Sequence, residues 1–287
     1  MGKFFDALKK AETSRGRAVS GKDTKKIVQI SHKEVEKLSL DTEPPAGAQV
    51  VHSPLDRREI DPRLVCLLEP GSVAAEKFKM LRAKIFCEEL VCRGRTILVT
   101  SAQPFDGKSF IAANLAVSIA QGLNDYALLV DCDLRQPSQQ RIFGLKSCRG
   151  LREYLEDATS VEAILQKTPL RKLTLLPAGM PPPNPAELLG SEKMQHLIGE
   201  LRDRYQDRYI IMDAPPATIS AETGSLSAMV DGVLLVVRSG KSQRQAIEDA
   251  ISTIRREKII GIIFNASDAR HRNYYKYYHR YYGTGKK

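Results

Sequence analysis

SAQPFDGKSF, residues 101–110, is the starting point for predicting the fold. The apolar, β-branched run RTILVTS leads into it and predicts a buried strand, and IAANLAVSIAQGL follows it with apolar residues at helical spacing. A strand, a tight loop with Gly-Lys-Ser and a helix form the context of a phosphate-binding loop. The backbone N–H groups of such a loop and the positive end of the helix attract phosphate. The sequence therefore predicts a nucleotide site here.

Two side chains of this loop suit nucleotide chemistry. Lys108 is expected to reach the β- and γ-phosphates of ATP, and the Ser109 hydroxyl is expected to bind Mg²⁺. The usual pattern G-x-x-x-x-G-K-[ST] has a glycine where this chain has Ala102. Because a Gly-Lys-Ser tripeptide often arises by chance, the loop alone is weak support for a nucleotide site.

Aspartates that follow two other apolar runs strengthen the prediction. LLVDCDLRQP predicts a strand that runs into Asp131 and Asp133, and YIIMDAPP predicts one that runs into Asp213. The carboxyl ends of parallel strands meet at one crevice, so these side chains and the loop would surround one Mg²⁺–nucleotide. Arg135, in the same stretch, is expected to contact that nucleotide. The aspartates could instead only turn the chain out of its strands, but three such stretches in this order disfavour that interpretation.

These residues resemble the bacterial tyrosine kinases of the exopolysaccharide and capsule systems. That family builds its active site from a modified Walker A loop, a Walker A′ motif (an apolar run, then D-x-D) and a Walker B motif (an apolar run, then D-x-x-P). The resemblance implies a P-loop NTPase of the partition and cell-division ATPase type, with ATP and Mg²⁺ as cofactors. Asp131, Asp213 and Ser109 are then the expected metal ligands. No H-R-D or D-F-G element of eukaryotic kinases lies near a suitable strand.

The loop departs from the family pattern S-x-x-P-G-E-G-K-S. Phe105 replaces a glycine where the backbone approaches phosphate, so it requires an allowed φ and an outward side chain. Phe110 stands where Thr or Ser is common. The residues expected to contact the nucleotide from this loop are Pro104, Phe105, Asp106, Gly107, Lys108, Ser109 and Phe110.

Length and composition predict a soluble, cytoplasmic protein of one large domain with appendages, or of two small domains. The 287 residues carry a net charge of +10, which calls for an acidic partner such as nucleic acid, anionic lipid or an acidic protein face. The five cysteines have no metal-ligand pairing and are expected to be reduced thiols. No apolar run is long enough to span a bilayer and no signal peptide is evident, so any contact with the plasma membrane is expected to come through a partner or a surface contact.

The chain is expected to have three parts: a short helix and flexible linker over 1–60, a kinase domain over 61–269 and a tail over 270–287. The stretch GKFFDALKKAE near the start has a helical pattern. It is interpreted as a frayed terminal helix rather than as a docking helix for a partner or membrane surface. The linker is rich in Lys, Ser, Glu and Pro, which is typical of segments without a core.

SVAAEKFKMLRAKIFCEEL, near the start of the domain, predicts a helix of about five turns. Members of the family carry E-x-x-R-x-x-R on this helix as a subunit contact that closes a ring. This chain has Glu76, Lys79 and Arg82, and the middle lysine lacks the bidentate fork of arginine. From charge alone, these residues would be interpreted as a solvated helix face.

The rest of the domain alternates strands and helices. LREYLED, VEAILQK and NPAELLGSEKMQHLIGEL predict helices, the last with Asn184 as N-cap and Pro185 at its first position. A further helix is expected from Gln243 to about Glu257. With KLTLLPAG, GVLLVVR and IIGIIFN there are six parallel-strand candidates, which predict an α/β fold with a doubly wound, mainly parallel sheet. The stretch PAG-x-x-PPNPAELL also resembles the kinase family. Asn265 could contact adenine, or it could simply form a turn.

The tail, RHRNYYKYYHRYYGTGKK, has six Lys or Arg residues and no acid. Interleaved bases and aromatics suit nucleic acid, clustered phenols suit phosphorylation, and a solubilising role is the third interpretation. The family carries a terminal tyrosine cluster as its autophosphorylation site, which favours phosphorylation and disfavours nucleic acid. The expected phosphoacceptors are Tyr274, Tyr275, Tyr277, Tyr278, Tyr281 and Tyr282.

The sequence thus predicts an ATP-dependent tyrosine autokinase that modifies its own tail, in trans within an oligomer, and regulates exopolysaccharide or capsule synthesis and export. Asp131 is the expected base, with Asp133 in support and Lys108 and Asp213 completing the catalytic set. By resemblance, the partners are a membrane polysaccharide co-polymerase as activator, further copies of the chain, and a tyrosine phosphatase.

Two alternatives remain open. A partition or septum-placement ATPase places a second lysine five residues before the loop lysine, where this chain has Gln103. A regulator without turnover would bind nucleotide or nucleic acid, and Phe105 is the feature that favours it.

Overall fold

The computed structural model describes residues 59–87, 94–146, 149–204 and 207–266. All of them belong to one compact unit, Val51–Lys287. The predicted N-terminal helix, nearly all of the linker and the tyrosine tail lie outside the described residues. The three-part division of the chain therefore stays a prediction.

Seven strands form one sheet in the order β3-β4-β2-β5-β1-β6-β7. All neighbouring pairs are parallel except β3 and β4, which are antiparallel. The strands are β1 Thr96–Ser101, β2 Tyr126–Asp131, β3 Gln166–Lys167, β4 Leu173–Leu176, β5 Arg208–Asp213, β6 Gly232–Arg238 and β7 Ile259–Asn265. The six parallel strands predicted from sequence are all present.

Helices connect the strands and cover the sheet. They are α1 Val65–Leu68, α2 Val73–Cys87, α3 Lys108–Ala120, α4 Gln139–Ile142, α5 Leu151–Leu155, α6 Val161–Ile164, α7 Pro185–Leu189, α8 Glu192–Arg204, α9 Ala221–Met229 and α10 Arg244–Thr253, with a 3₁₀ turn at Arg256–Lys258. No helix in the described part of the chain is both long enough and apolar enough to cross a membrane.

The sheet has an apolar core on each face. On one face α3 is buried from Ile111 to Ala120, because it packs between the sheet and α2. On the other face α8 buries Met194, Leu197, Ile198 and Leu201, the i, i+3, i+4, i+7 spacing of one helix face. Helices on both faces confirm the doubly wound α/β fold, and they hold the strand ends that carry the site.

The structure differs from the prediction at two helices. The single helix expected after Asn184 is broken at Gly190, a poor helix former, and restarts after Ser191, whose hydroxyl accepts the N–H of Met194 at 3.2 Å. Asn184 holds the N-cap position but makes no side-chain capping bond. The helix expected to run to about Glu257 ends at Thr253.

The shorter helix has a local cause. Ile254 is extended and only 2% exposed, so the chain leaves the helix to bury this side chain. Helix α2 covers Val73–Cys87, and the residues directly after Cys87 lie outside the described ones, so its predicted length of about five turns stays a prediction. Strand β3 was not predicted, because two residues are too few to show a strand period.

Candidate active site

The phosphate-binding loop joins β1 to α3 in a strained conformation. Gly107, the N-cap of α3, has φ 98°, and a Cβ on it would lie 2.1 Å from Nδ2 of Asn265, so only glycine fits. Phe105 has φ 64° and its side chain is 85% exposed. The sequence predicted this outward side chain. The positive φ is costly for a residue with a large side chain.

Hydrogen bonds hold the loop from one side. The Asp106 carboxylate accepts the Gln103 N–H at 2.9 Å and the Ser242 hydroxyl at 2.7 Å. The Asn265 side-chain amide donates to the Asp106 carbonyl at 2.8 Å, and the Arg238 guanidinium donates to the Phe105 carbonyl at 3.2 Å. Residues at the ends of β6 and β7 therefore hold the phosphate-binding loop in place. Asn265 holds the loop in this structure, and its contact with adenine stays a prediction.

The three predicted strand ends do converge. Asp131 and Asp213 face each other in the register of β2 and β5, and Val99 of β1 lies opposite Asp213 on its other side. Lys108, at the start of α3, forms an ion pair with Asp133, with 2.8 Å between Nζ and Oδ2. The fold thus brings Lys108, Ser109 and three aspartates together at the carboxyl edge of the sheet.

Asp131 is committed to the backbone that follows it. Its carboxylate accepts N–H groups from Asp133 at 3.2 Å, Ser138 at 3.0 Å and Gln139 at 2.9 Å. Complete burial and the charge of Asp213 raise the pKa of Asp131 to about 7, although these N–H groups act in the opposite direction. Asp131 therefore holds the backbone of the loop after β2 in place, in addition to placing a carboxyl group in the crevice.

Gln139 is a residue that the sequence did not single out. It is fully buried, and its Nε2 donates to Asp213 Oδ2 at 2.7 Å and to the Ser109 carbonyl at 3.1 Å. It thereby links β5, the phosphate loop and α4. A lone glutamine eight residues after Asp131 has no sequence pattern that could have revealed this.

Two buried oxygens in this crevice have no hydrogen-bond partner among the described residues: Oδ1 of Asp213 and Oε1 of Gln139. Buried polar atoms are normally bonded, so these two are suited to a ligand or ion. Mg²⁺ takes oxygen ligands and is usually held by one or two carboxylates together with phosphates and waters. Asp213 and the Ser109 hydroxyl fit that requirement. Asp131 lies beside them with its oxygens bonded to backbone N–H groups. No closed cage of three or more His, Cys, Asp or Glu residues exists among the described residues.

The charges of the crevice depend on one another. Burial opposes the charge of Lys108, but Asp213 and Asp133 outweigh it and raise the pKa of the ammonium. Burial also raises the pKa of Asp213, against the effect of Lys108. Cys132, between the two aspartates of Walker A′, is a buried free thiol whose pKa is raised well above its ordinary value by burial and by Asp131. We therefore expect this thiol to be a poor nucleophile.

Arg135, Phe110 and the three predicted residues of α2 have partners within the chain. The Arg135 Nε donates to Oε1 of Glu222 at 2.8 Å. Lys79 pairs with Glu76 at 2.5 Å along α2, and the Arg82 guanidinium donates to the Ser118 carbonyl of α3. Pro104 lies in the loop and Phe110 packs edge-on against Phe78, with 5.6 Å between ring centroids. The subunit contact of α2 stays a prediction.

The sequence is similar to the tyrosine-protein kinase YwqD of Bacillus subtilis, with 34% identity over 218 residues that cover 75% of this chain and 90% of the relative. The chain belongs to the bacterial tyrosine kinase family. A bacterial tyrosine kinase is also a structural neighbour: the kinase domain of Escherichia coli tyrosine kinase ETK matches with a TM-score of 0.67 and 25% identity, over 75% of this chain and 85% of that one. No family model matches the chain.

The bacterial tyrosine kinase fold is shared more widely. The septum site-determining protein MinD of Pyrococcus horikoshii, solved with Mg-ADP, matches with a TM-score of 0.50 and 18% identity over 60% of this chain and 70% of that one. This likeness shows the fold alone. The predicted family and P-loop fold are confirmed, and the chain is a protein-tyrosine kinase by membership of its family. The roles of individual site residues stay predictions.

Proposed function

We propose that this chain transfers the γ-phosphoryl group of ATP to tyrosines of its own tail, residues 270–287. The observation that carries the proposal is the buried Lys108–Asp133 ion pair beside Asp213, at the point where the three Walker stretches meet. Phosphoryl transfer is mainly positioning and charge neutralisation, and this crevice supplies a cation, carboxylates and loop N–H groups. The tail supplies six phenols.

ATP binds with its phosphates on the loop N–H groups, which draws the Lys108 ammonium from Asp133 to the phosphate oxygens. The Asp133 carboxylate is then free to accept the proton of an incoming tyrosine hydroxyl, which is mostly protonated at neutral pH. Ser109 and Asp213, with Asp131 directly or through water, would hold Mg²⁺, which would neutralise charge on the β- and γ-phosphates. The bonds that Asp131 accepts from three backbone N–H groups favour Asp133 over Asp131 as the base. The sequence had favoured the reverse.

The phosphoacceptor tyrosines come from a neighbouring copy in a ring. The α2 residues Glu76, Lys79 and Arg82 form the contact between neighbouring copies. A membrane polysaccharide co-polymerase activates the kinase at the inner face of the membrane, and a tyrosine phosphatase reverses the reaction. The pathway served is exopolysaccharide or capsule synthesis and export. These assignments come from the family resemblance together with the tyrosine-rich tail.

Phosphorylation reverses the charge of the tail. Each phosphate adds about −1.5 to −2 charge at pH 7, so two or three remove most of the positive charge of the tail. We expect this reversal to break contacts between the tail and a neighbouring copy and to dissociate the oligomer. Light scattering before and after full phosphorylation measures the size, and an unchanged size would contradict the charge mechanism.

The proposed activity is tested by phosphotyrosine mass spectrometry after incubation of the purified chain with Mg²⁺ and ATP. We expect phosphate on the tail tyrosines of the wild-type chain and none on Lys108→Met. Lys167→Met, an exposed lysine of strand β3, is the matched control and keeps the activity. A chain ending at Ala269 separates the reaction on the tail from ATP hydrolysis.

The alternative is a switch ATPase that hydrolyses ATP without phosphorylating tyrosine. Gln103 occupies the position of its second lysine, and here the Gln103 side chain accepts the Gln243 N–H at 3.1 Å. ATP hydrolysis that survives loss of the tail, with no phosphotyrosine, would favour this alternative. If neither activity is found, even with a cytoplasmic activator segment added, the chain is a nucleotide-binding regulator.

A further inference from the structure

Glu222 is a buried acid that neither the Walker motifs nor the family resemblance singled out. It lies in the first turn of α9, and its side chain is only 1% exposed. One carboxylate oxygen accepts the Arg135 Nε–H at 2.8 Å, and the other accepts the hydroxyl of Ser220. Burial opposes its ionisation, yet these bonds outweigh burial and keep the pKa of Glu222 below its ordinary value. Glu222 is therefore charged at neutral pH.

Arg135 is the cationic member of this ion pair. Its side chain is 53% exposed, and in the described part of the chain only Nε is recorded in a hydrogen bond. The two terminal nitrogens of the guanidinium therefore remain available for another acceptor. Arg135 follows Asp133 by two residues, and Asp133 holds Lys108. The guanidinium is thus tethered to the loop that carries the Walker A′ carboxylates.

Stability alone does not account for this arrangement. Burying a carboxylate costs hydration, and a half-exposed arginine returns only part of that free energy. An acid in the first turn of a helix gains from the helix dipole, but that gain needs neither burial nor an arginine. What the pair does supply is orientation, because a guanidinium bonded through Nε presents its other edge in a fixed direction. Arginine in such a position binds phosphate oxygens with two parallel bonds.

We propose that Glu222 is a positioning residue for the kinase reaction, which holds the Arg135 guanidinium in place for the phosphate chain of ATP. The inference rests on the proposed function. Glu222 touches neither nucleotide nor acceptor and acts through Arg135. Loss of Glu222 leaves Arg135 charged but free to rotate into solvent.

A double-mutant cycle in the full chain tests the inference. Wild type, Glu222→Gln, Arg135→Ala and the double variant are compared by kcat/KM for ATP in autophosphorylation, and by urea unfolding. We expect Glu222→Gln to lower kcat/KM about tenfold when Arg135 is present and less than twofold when it is absent. Glu156→Gln, which removes the acid of a surface pair with Arg152, is the matched control and leaves kcat/KM unchanged.

Several results would overturn the inference. An equal loss of kcat/KM in both backgrounds, or a loss of unfolding free energy with unchanged kcat/KM, would make Glu222 a structural acid only. If Glu222→Gln does not fold, Arg135→Lys carries the test. A lysine ammonium bonded to Glu222 cannot also reach the phosphates, so we expect a loss as large as that of Arg135→Ala. Full activity of Arg135→Lys would overturn the inference.

A failure of the proposed kinase function can be distinguished from a failure of the Glu222 inference. A wild-type chain that makes no phosphotyrosine rules out the kinase reaction under the assay conditions. The same four proteins are then compared by Kd for a non-hydrolysable ATP analogue with Mg²⁺. A weaker affinity for Glu222→Gln that disappears without Arg135 supports the inference, and an equal weakening in both backgrounds, or none in either, overturns it.

Discussion

Lys108 and Asp133 form an ion pair across the nucleotide crevice, with 2.8 Å between Nζ and Oδ2 and both side chains largely buried. The lysine that is expected to bind phosphate is therefore already held by a carboxylate. Nucleotide binding must exchange one negative partner of Lys108 for another. The free energy of nucleotide binding therefore includes the difference between the Lys108–phosphate and the Lys108–Asp133 interactions.

Asp133→Asn should therefore tighten the binding of ADP while it removes kinase activity. The variant releases Lys108 and removes a negative charge near the phosphates, and we expect a Kd about tenfold lower, which is about 1.4 kcal/mol. Isothermal titration with ADP alone measures the effect. Asp203→Asn, an exposed acid of α8, is the control. Weaker binding by Asp133→Asn would mean that Asp133 assists binding rather than competing for Lys108.

The same substitution at two glycines should have opposite effects on stability. Gly107→Ala forces a Cβ into Asn265 at φ 98° and should lower the free energy of unfolding by about 1–3 kcal/mol. Gly199→Ala lies within α8 with no atom near the added methyl group, and should raise it by about 0.5–1 kcal/mol. Urea unfolding of both variants provides the comparison. A stable Gly107→Ala chain that still binds nucleotide would contradict the geometry of the loop.

The paired carboxylates Asp131 and Asp213 predict a pH dependence of stability. Burial raises the pKa of both, and that of Asp131 to about 7, so the folded chain binds more protons than the unfolded chain between about pH 4 and 7. Stability should fall as pH rises through this window, by at most about 1.4 kcal/mol per pH unit for each proton. Urea unfolding from pH 5 to 8 tests this, and Asp213→Asn should flatten the profile. A rise in wild-type stability over the same range would show that the carboxylates stay ionised in the folded chain.

Lys79→Arg should strengthen self-association. Lysine at this position pairs with Glu76 along α2 and lacks the bidentate fork that the family pattern provides. We expect a severalfold lower dissociation constant of the oligomer by sedimentation velocity. Lys77→Arg, an exposed lysine two residues earlier, is the control and should change nothing. Equal sedimentation of all three proteins would count against the α2 contact.

The sequence predicted the fold well because its main features are local. Each parallel strand has its own apolar run, and the glycine, lysine and aspartates of the site follow those runs directly. Strand β3 and the break at Gly190 were missed, since the strand is two residues long and one glycine at that position is weak local information.

Gln139 and Glu222 could not be predicted for a different reason. Their roles depend on which strands are neighbours. Gln139 reaches Asp213 only because β2 and β5 are adjacent, and Glu222 meets Arg135 across 87 residues of chain. No spacing or periodicity in the sequence indicates such a contact. The Lys108–Asp133 pair was likewise visible only as two residues of one site, without the bond between them.

Asn265 ends the last strand of the sheet, and its side chain fastens the phosphate loop through the Asp106 carbonyl. The tyrosine segment begins only a few residues farther along the chain. Anyone who shortens the chain to obtain a tail-free core has a narrow choice of end point. A chain that ends after Asn265 lacks the tyrosines but keeps the hydrogen bond to the phosphate loop. A chain that ends before Asn265 loses that bond as well. Its inactivity could then be wrongly attributed to the missing tyrosines.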